Sequence, residues 1–485
     1  GPGPGPARER RPVIGLPRLT RVEKALLAAM LLTLPLVNPY VRSDGHGYYA
    51  YVRSAVLDGD LHFDNEYRRG DPEFVGASFR RSDGHPWPPM NTRTGHLRNQ
   101  WAVGSSLLWA PAFLQAHAIV LVANVLGADI PADGYSAPYR WLCAFATALY
   151  AFAGLLLAHR SAARLASPAA ATVATVAIWL GTSLPMYTYF LPFHAHATAA
   201  FAVALFVWYW IETRPLRRTT QWAAWGAMGG LMAIVYHLNA VFLVAAGVEW
   251  LRAALDRGRP RGDAVRESLR HGIAFAGAAA VVALPHFAAK WIVHGSPFDT
   301  GRLNRFFWTM PGLADVGFAS DHGLFLWTPV AALALLGLAL LWRREPLVAA
   351  ALLAAFALFY YAVASYDRWH GVSGFGNRFF VSWTFPFVLG LAVLLARIQA
   401  RVAARSRRRA LALLAAPAAL LVAWNAGLMV QWATGLVPRR GPVDFRQAVR
   451  NQFTEVPAQA ARVGLRYFGE RTAVVGEQEK KSLQN

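Results

Sequence analysis

Apolar runs of membrane-spanning length recur from one end of this chain to the other, and that recurrence constrains the fold more than any single motif. They fall at about 25–41, 139–158, 169–188, 195–211, 221–236, 239–252, 272–293, 322–342, 346–364, 379–397 and 409–432, each near the roughly 20 apolar residues that a bilayer crossing needs. In hydrocarbon every backbone N–H and C=O must be paired within its own segment, so runs of this kind fold as helices. The sequence therefore predicts an all-α polytopic membrane protein with about 11–13 transmembrane helices. The composition agrees: 55% of the 485 residues are hydrophobic and 15% are charged, too apolar for an ordinary soluble domain. The lone cysteine, Cys143, leaves no disulfide within the chain and no Cys-based zinc or iron–sulfur site.

A net charge of +21 raises the question of nucleic acid. The basic residues instead cluster in short loops between apolar runs, the signature of membrane orientation, and no nucleic-acid partner is expected. Those loops are "HRSAAR" (159–164), "RPLRR" (214–218), "LRAALDRGRPRGDAVRESLR" (251–270), "RRE" (343–345) and "RIQARVAARSRRR" (397–409). With Arg8, Arg10, Arg11, Arg18, Arg21 and Lys24 ahead of the first run, segment 1–24 reads as a cytoplasmic N-terminus, its opening GPGPGP as a cloning scar. The first run lacks a small-x-small cleavage site and reads as an uncleaved span. Residues 25–432 then form the transmembrane domain and 433–485 an extracytoplasmic segment, which could cover a cleft or bind an acceptor. One region breaks the parity. Loops 42–100 and 128–138 both fall outside, so 101–127, with Pro111 inside it, is expected to form a helical hairpin or re-entrant element.

The outer loops, chiefly 42–100, 294–321 and 365–378, carry most of the chemistry. In the first, Tyr48, Tyr51, Val52, Ala55 and Val56 recur at helical spacing and suggest an amphipathic helix along the interface. Asp44 stands just beyond the first span, either as a solvated acid ending that helix or as a general base. Apolar walls would raise its pKa toward the working range. His194 and His196 form an H-x-H pair at the start of a span. On a helix they point about 200° apart, which suits phosphate binding or proton transfer better than a metal. "GVSGFGNR" (371–378) leads glycine-rich backbone into a helix headed by Arg378, an anion site or an anchored turn. Arg302 and Arg305 are further phosphate candidates, and Lys290 is another or merely snorkels. The acids of "LDGDLHFDNEY", including Asp60, Asp64 and Glu66, could hold a divalent cation or form a solvated turn.

The segments "SDGHGYYAYVRSAVLDGDLHFDNEY", "NQWAVGSSLLWAPAFL" and "WHGVSGFGNRFF", with an acid after the first span and a basic-inside body, resemble the GT-C class of integral-membrane glycosyltransferases. That class takes its sugar from a polyprenyl-phosphate donor. The resemblance implies an enzyme of the bacterial inner (plasma) membrane with its active site on the extracytoplasmic face and a long first outer loop. It implies inversion at the anomeric carbon, with Asp44 as base and Arg378, Arg302, His196 and His194 near the donor phosphate. Tyr48, Trp369, Asp64, Glu66 and His370 would meet the sugar or the acceptor, a glycan, lipid or protein. Many members carry a second acid beside the first. Asp44 has none, so a divalent cation (Mg, Mn or Ca) stays open as a cofactor. The rivals are a transporter or flippase, a polysaccharide polymerase or ligase, and a non-catalytic scaffold. A transporter should bury ionisable groups near the midplane. Here mid-span polar residues are few, chiefly His117, His237, Asn239 and His286.

Overall fold

A computed structural model describes residues 18–69, 91–214, 217–256, 258, 260–302, 305–403 and 407–484. Arg8, Arg10, Arg11 and the GPGPGP leader lie outside the described residues, as does part of the first outer loop. The chain is 74% helix, and its β-pairing among the described residues is limited to the isolated bridges Asn91–Leu97 and Phe306–Tyr366.

The first helix, α1 (Arg21–Leu32), starts on a capping box: Thr20 N–H donates to Glu23 Oε2 at 2.7 Å, and Glu23 N–H donates to Thr20 Oγ1 at 3.2 Å. Helix α2 (Asp44–Arg53) and the short α3 (Asp64–Arg69) belong to the first long loop. The body follows as α4 (Gly104–Val125), α5 (Ala137–Leu165), α6 (Pro168–Leu180), α7 (Ala195–Thr213), α8 (Thr219–Val235), α9 (Val244–Ala254) and α10 (Arg261–His294). Two small helices, α11 (Leu313–Phe318) and α12 (Leu324–Trp327), precede α13 (Val330–Leu341), α14 (Pro346–Ala364), α15 (Thr384–Ala403) and α16 (Arg407–Thr434). The C-terminal segment folds as α17 (Phe445–Thr454), α18 (Val456–Gly469) and α19 (Arg471–Gln484).

Among the described residues seven helices are long and apolar enough to cross a membrane, and α6 and α13 are shorter apolar helices. Small residues let them approach closely, as expected where lipid gives helices no hydrophobic drive to associate. A Cβ on Gly337 of α13 would stand 1.8 Å from the Gly390 carbonyl oxygen of α15, and one on Gly230 of α8 would stand 2.4 Å from the Ala279 carbonyl of α10. Large apolar side chains face outward from the bundle: Ile273 and Leu420 are each 72% exposed. In water such a surface would drive aggregation, whereas in a bilayer it is the expected exterior. The chain is an integral membrane protein.

The inter-element contacts separate into two ends. At one end the basic loops meet, with Arg160 on Glu23 (2.8 Å), Arg214 on Glu345 (2.7 Å) and Arg164 on Glu212. At the other, Arg42 donates to the Phe190 carbonyl (2.7 Å), Arg93 to the His294 carbonyl (3.0 Å) and Arg471 to the Val37 carbonyl (2.8 Å).

Two expectations need correction. Segment 101–127 is no hairpin, because α4 runs unbroken through Pro111. It lies alongside α2, with Ser106 bonded to the Tyr48 carbonyl and Trp109 and Phe113 packed on Tyr49. The loop after it returns to the far end of α2, where Tyr49 Oη donates to the Gly134 carbonyl (2.6 Å) and Arg53 Nε to the Asp133 carbonyl (3.1 Å). Secondly, α2 is a helix as its periodicity predicted, but it does not lie open at an interface. Tyr48, Tyr49, Tyr51 and Val52 are all buried in protein. Gly45 and Gly47 permit this, since a Cβ on Gly47 would fall 1.9 Å from the Trp101 ring.

Candidate active site

Asp44 is the first residue of α2, and Ser43 before it takes a left-handed conformation with φ of 51°. That turn aims the carboxylate away from α2 and into a cavity of about 780 Å³. Across the cavity the glycine-rich segment Gly371–Gly376 runs into the helical turn Arg378–Trp383, which continues as α15. Asp44 Oδ2 and Arg378 Nη1 meet at 2.9 Å. The glycines shape the seat of that arginine. A Cβ on Gly374 would come within 2.9 Å of Arg378 Cδ, and Gly371, at φ 71°, would carry one 3.2 Å from Arg378 Nε. Arg378 Nε is itself buried with no hydrogen-bond partner among the described residues.

Four non-glycine residues among those described have positive φ, and three gather here: Ser43, Val372 and His322. Val372 is β-branched, for which φ of 62° is a true outlier. Strain of this kind persists where the surrounding packing over-determines the backbone, and it concentrates at functional sites.

Six arginines line the cavity, Arg42, Arg302, Arg368, Arg378, Arg439 and Arg440, against one carboxylate, Asp44. Arg302 Nη1 lies 3.3 Å from Tyr366 Oη, and its guanidinium sits 5.8 Å from that ring centroid. His194 caps α7 and His196 lies in its first turn, with the His196 ring 4.6 Å from Tyr187 and 5.5 Å from Tyr236 between centroids. Burial depresses the His194 pKa to about 4, with the Asp44 charge opposing and the Arg378 charge adding to the shift, so this ring is neutral at physiological pH. Burial by itself would raise the Asp44 pKa, as its apolar surroundings suggested. The charge of Arg378, with that of Arg302, opposes this, and the carboxyl is held below its ordinary range. The expected upward shift is thus reversed, and Asp44 is ionised.

Much of the remaining lining is apolar. Leu36 follows α1, Met186 and Phe190 come from the turn before α7, Val422, Ala426 and Met429 from α16, and Ala460, Val463 and Phe468 from α18. The C-terminal segment therefore forms one wall. Tyr467 Oη donates to the Leu36 carbonyl (2.8 Å) and Arg471 to the Pro35 and Val37 carbonyls (2.6 and 2.8 Å), which fastens α18 and α19 to the end of α1.

Of the residues singled out in the sequence, Asp44, Tyr48, His194, His196, Arg302 and Arg378 line this one cavity. Trp369 and His370 sit in the loop ahead of the glycines without lining it. Asn377 Nδ2 reaches the Trp369 carbonyl at 3.4 Å, and the Val372 amide donates to His370 Nδ1 at 3.2 Å. Asp64 and Glu66 do not reach the cavity either. Glu66, 1% exposed, is 2.8 Å from Arg53 Nη1, an ion pair that ties α3 to α2. Nor do the loop acids converge on a cation. Asp58 shares Arg53 with Glu66, while Asp60 Oδ1 accepts from Ser54 Oγ (2.9 Å) and the His62 amide (3.1 Å). No group of three or more His, Cys, Asp or Glu among the described residues is placed to hold a metal ion.

Lys290 does not snorkel. Fully buried, its Nζ donates to the carbonyls of Asn99 (2.7 Å), Trp101 (3.0 Å) and Thr300 (3.3 Å), stapling two loops to α10. Sequence reasoning missed Tyr236, Tyr366, Arg439 and Arg440. Arg42 carried a usable signal, since it stands two residues before Asp44 at the rim of an apolar run.

No protein-family model matches the chain, and no curated protein matches it. Among solved structures it is similar to the Archaeoglobus fulgidus oligosaccharyltransferase in complex with Zn and sulfate, at 15% identity and a TM-score of 0.45. That match covers 85% of this chain and 55% of the other, so the chain spans about half the length of that protein. It is also similar to ArnT from Cupriavidus metallidurans bound to undecaprenyl phosphate, at 15% identity and a TM-score of 0.45, covering 94% of this chain and 76% of that one. The apo state of the same ArnT matches at 14% identity and a TM-score of 0.44, with the same coverage.

Proposed function

We propose that this protein is a membrane glycosyltransferase that moves a sugar from a polyprenyl-phosphate donor to an acceptor hydroxyl on the extracytoplasmic face. One observation carries the reading. A single cavity is lined by one carboxylate and six arginines together with apolar side chains from α16 and α18. A ligand matching both linings has an anionic head and a long hydrocarbon tail, and the guanidiniums suit a phosphate. The basic loops, which gather at the end of the bundle away from Asp44, support an extracytoplasmic side for the cavity.

The chemistry balances with these residues. The acceptor oxygen bonds to the anomeric carbon from the face opposite the leaving group, inverting it. The anomeric C–O bond to phosphate breaks, and its electron pair leaves on the phosphate. The acceptor hydroxyl proton passes to Asp44. Arg378 and Arg302 stabilise the charge that grows on the phosphate, as preorganised cations do in a water-poor cleft. The Asp44–Arg378 pair couples the two ends of the reaction. A phosphate on Arg378 competes for the guanidinium, loosens its hold on Asp44 and returns the carboxylate toward a pKa at which it accepts a proton. A divalent cation fits this donor set poorly, because the one carboxylate is already paired and arginines surround it. No step here runs through a metal.

The test is direct binding of undecaprenyl phosphate to the purified protein, followed by transfer from its glycosylated form to a panel of acceptors. Saturable binding that Arg378→Gln weakens supports the reading. A protein that binds no polyprenyl phosphate overturns it.

A further inference from the structure

The pair Asp321–His322 stands outside the cavity, and the mechanism above does not use it. His322 is fully buried, and its ring stacks on Trp327 with centroids 4.8 Å apart and planes 6° from parallel. Its Nδ1 is 2.6 Å from Asp321 Oδ1, and its Nε2 is 2.7 Å from the Gly374 carbonyl oxygen. The ring therefore bridges Asp321 and the Gly374 backbone. Burial works to raise the Asp321 pKa, but the hydrogen bond and charge of His322, with help from His370 and the Gly441 amide, hold it below the ordinary range.

Gly374 is where this pair meets the site. Its carbonyl is drawn to His322, and the next amide, Phe375 N–H, donates to Tyr187 Oη at 3.2 Å. A peptide unit held at both ends has a fixed orientation. Its Cα forms the wall against which Arg378 rests, since a Cβ there would stand 2.9 Å from Arg378 Cδ. His322 also sits at φ of 65°, a conformation that side-chain-bearing residues keep only when held.

We propose that His322, held by Asp321, is a positioning residue for the donor-phosphate site: it fixes the Gly374 carbonyl and, through the glycine loop, the guanidinium of Arg378. This inference rests on reading Arg378 as a phosphate ligand. The groups facing this ring are Asp321, the Gly374 carbonyl and His370, whose centroid lies 6.5 Å away.

The experiment measures undecaprenyl phosphate affinity at neutral pH for wild type, His322→Gln and His322→Ala, with monodispersity and Tm checked for each. Gln keeps a side-chain donor for the Gly374 carbonyl. His322→Ala is expected to bind about tenfold or more weakly, the scale of a buried group left without its hydrogen bond, and His322→Gln to bind near wild type. A folded His322→Ala that binds as tightly as wild type overturns the proposal, as does a folded His322→Gln that binds as weakly as His322→Ala. If no protein binds the lipid, wild type included, the proposed function fails, and the inference is then judged on amide hydrogen exchange of segment 371–376. Faster exchange in His322→Ala that His322→Gln restores supports the positioning role, and equal protection in all three overturns it.

Discussion

Asp44 and Arg378 carry different parts of the account, and their variants should separate. Asp44→Asn keeps the cavity and removes the proton acceptor, so turnover should fall by about 10²–10⁴ while donor binding survives. Arg378→Lys keeps a charge but loses the planar fork, and donor affinity should drop about ten- to a hundredfold. The acid dependence has a definite sign. The folded-state pKa of Asp44 is depressed, so the pair's contribution to stability is complete above the unfolded carboxyl value of about 3.9 and is lost as pH falls through the folded value beneath it. The Asp44 limb of kcat/KM, which reports the free enzyme, should accordingly lie below the ordinary carboxylate range, and a pH–rate profile checks it. A limb near neutrality assigned to Asp44 would contradict the pairing. At this scale the sequence was legible where one residue sat at a marked place: Asp44 at a span's rim, Arg378 after a glycine run, His194 and His196 at a helix start. It misled where a partner came from far away in the chain. Glu66 looks like a free loop acid until Arg53 is folded onto it, and nothing local announces that Arg378 depresses Asp44 instead of leaving apolar walls to raise it.

The helices themselves were read from apolar length and charge, because the bilayer imposes those rules segment by segment. Element placement was harder. Helix α4 has the length and hydropathy of a span, and its contacts with α2 come from its first half, at Ser106, Trp109 and Phe113, while the Gly134 loop beyond it returns to Tyr49. Two predictions belong here. Gly47→Ala drives a Cβ into the Trp101 ring, and overpacking of this kind should cost about 1–3 kcal/mol, read as a lowered Tm. Lys290→Met removes the ammonium that joins the Asn99, Trp101 and Thr300 carbonyls, while Tyr51 Oη still donates to Asn99 (3.4 Å) and Trp101 (3.3 Å), so the loss should cost about 1–3 kcal/mol in all. Its Tm should fall and loop 99–101 should become sensitive to protease, whereas an unchanged Tm would mean that the staple is dispensable.

On the scale of the whole molecule, the C-terminal segment is the part the sequence placed least well and the cavity uses most. Weak periodicity in 445–468 revealed helices but not their target, because the contacts that bind them are carbonyls of residues 35–37, more than four hundred positions earlier. Gly464 of α18 lines the cavity, with open space where a Cβ would be. Gly464→Trp should therefore block the apolar part of the cavity and weaken undecaprenyl phosphate binding more than farnesyl phosphate binding, while leaving Tm near wild type. Equal losses for both lipids would remove the tail from that part. The central claim, that one cavity binds a lipid phosphate and uses Asp44 to activate an acceptor, meets its most direct test in a single comparison. Undecaprenyl phosphate binding and sugar transfer would be measured side by side for wild type and Asp44→Asn. The account predicts binding by both proteins and transfer by wild type alone. Transfer that continues unabated in Asp44→Asn would contradict it.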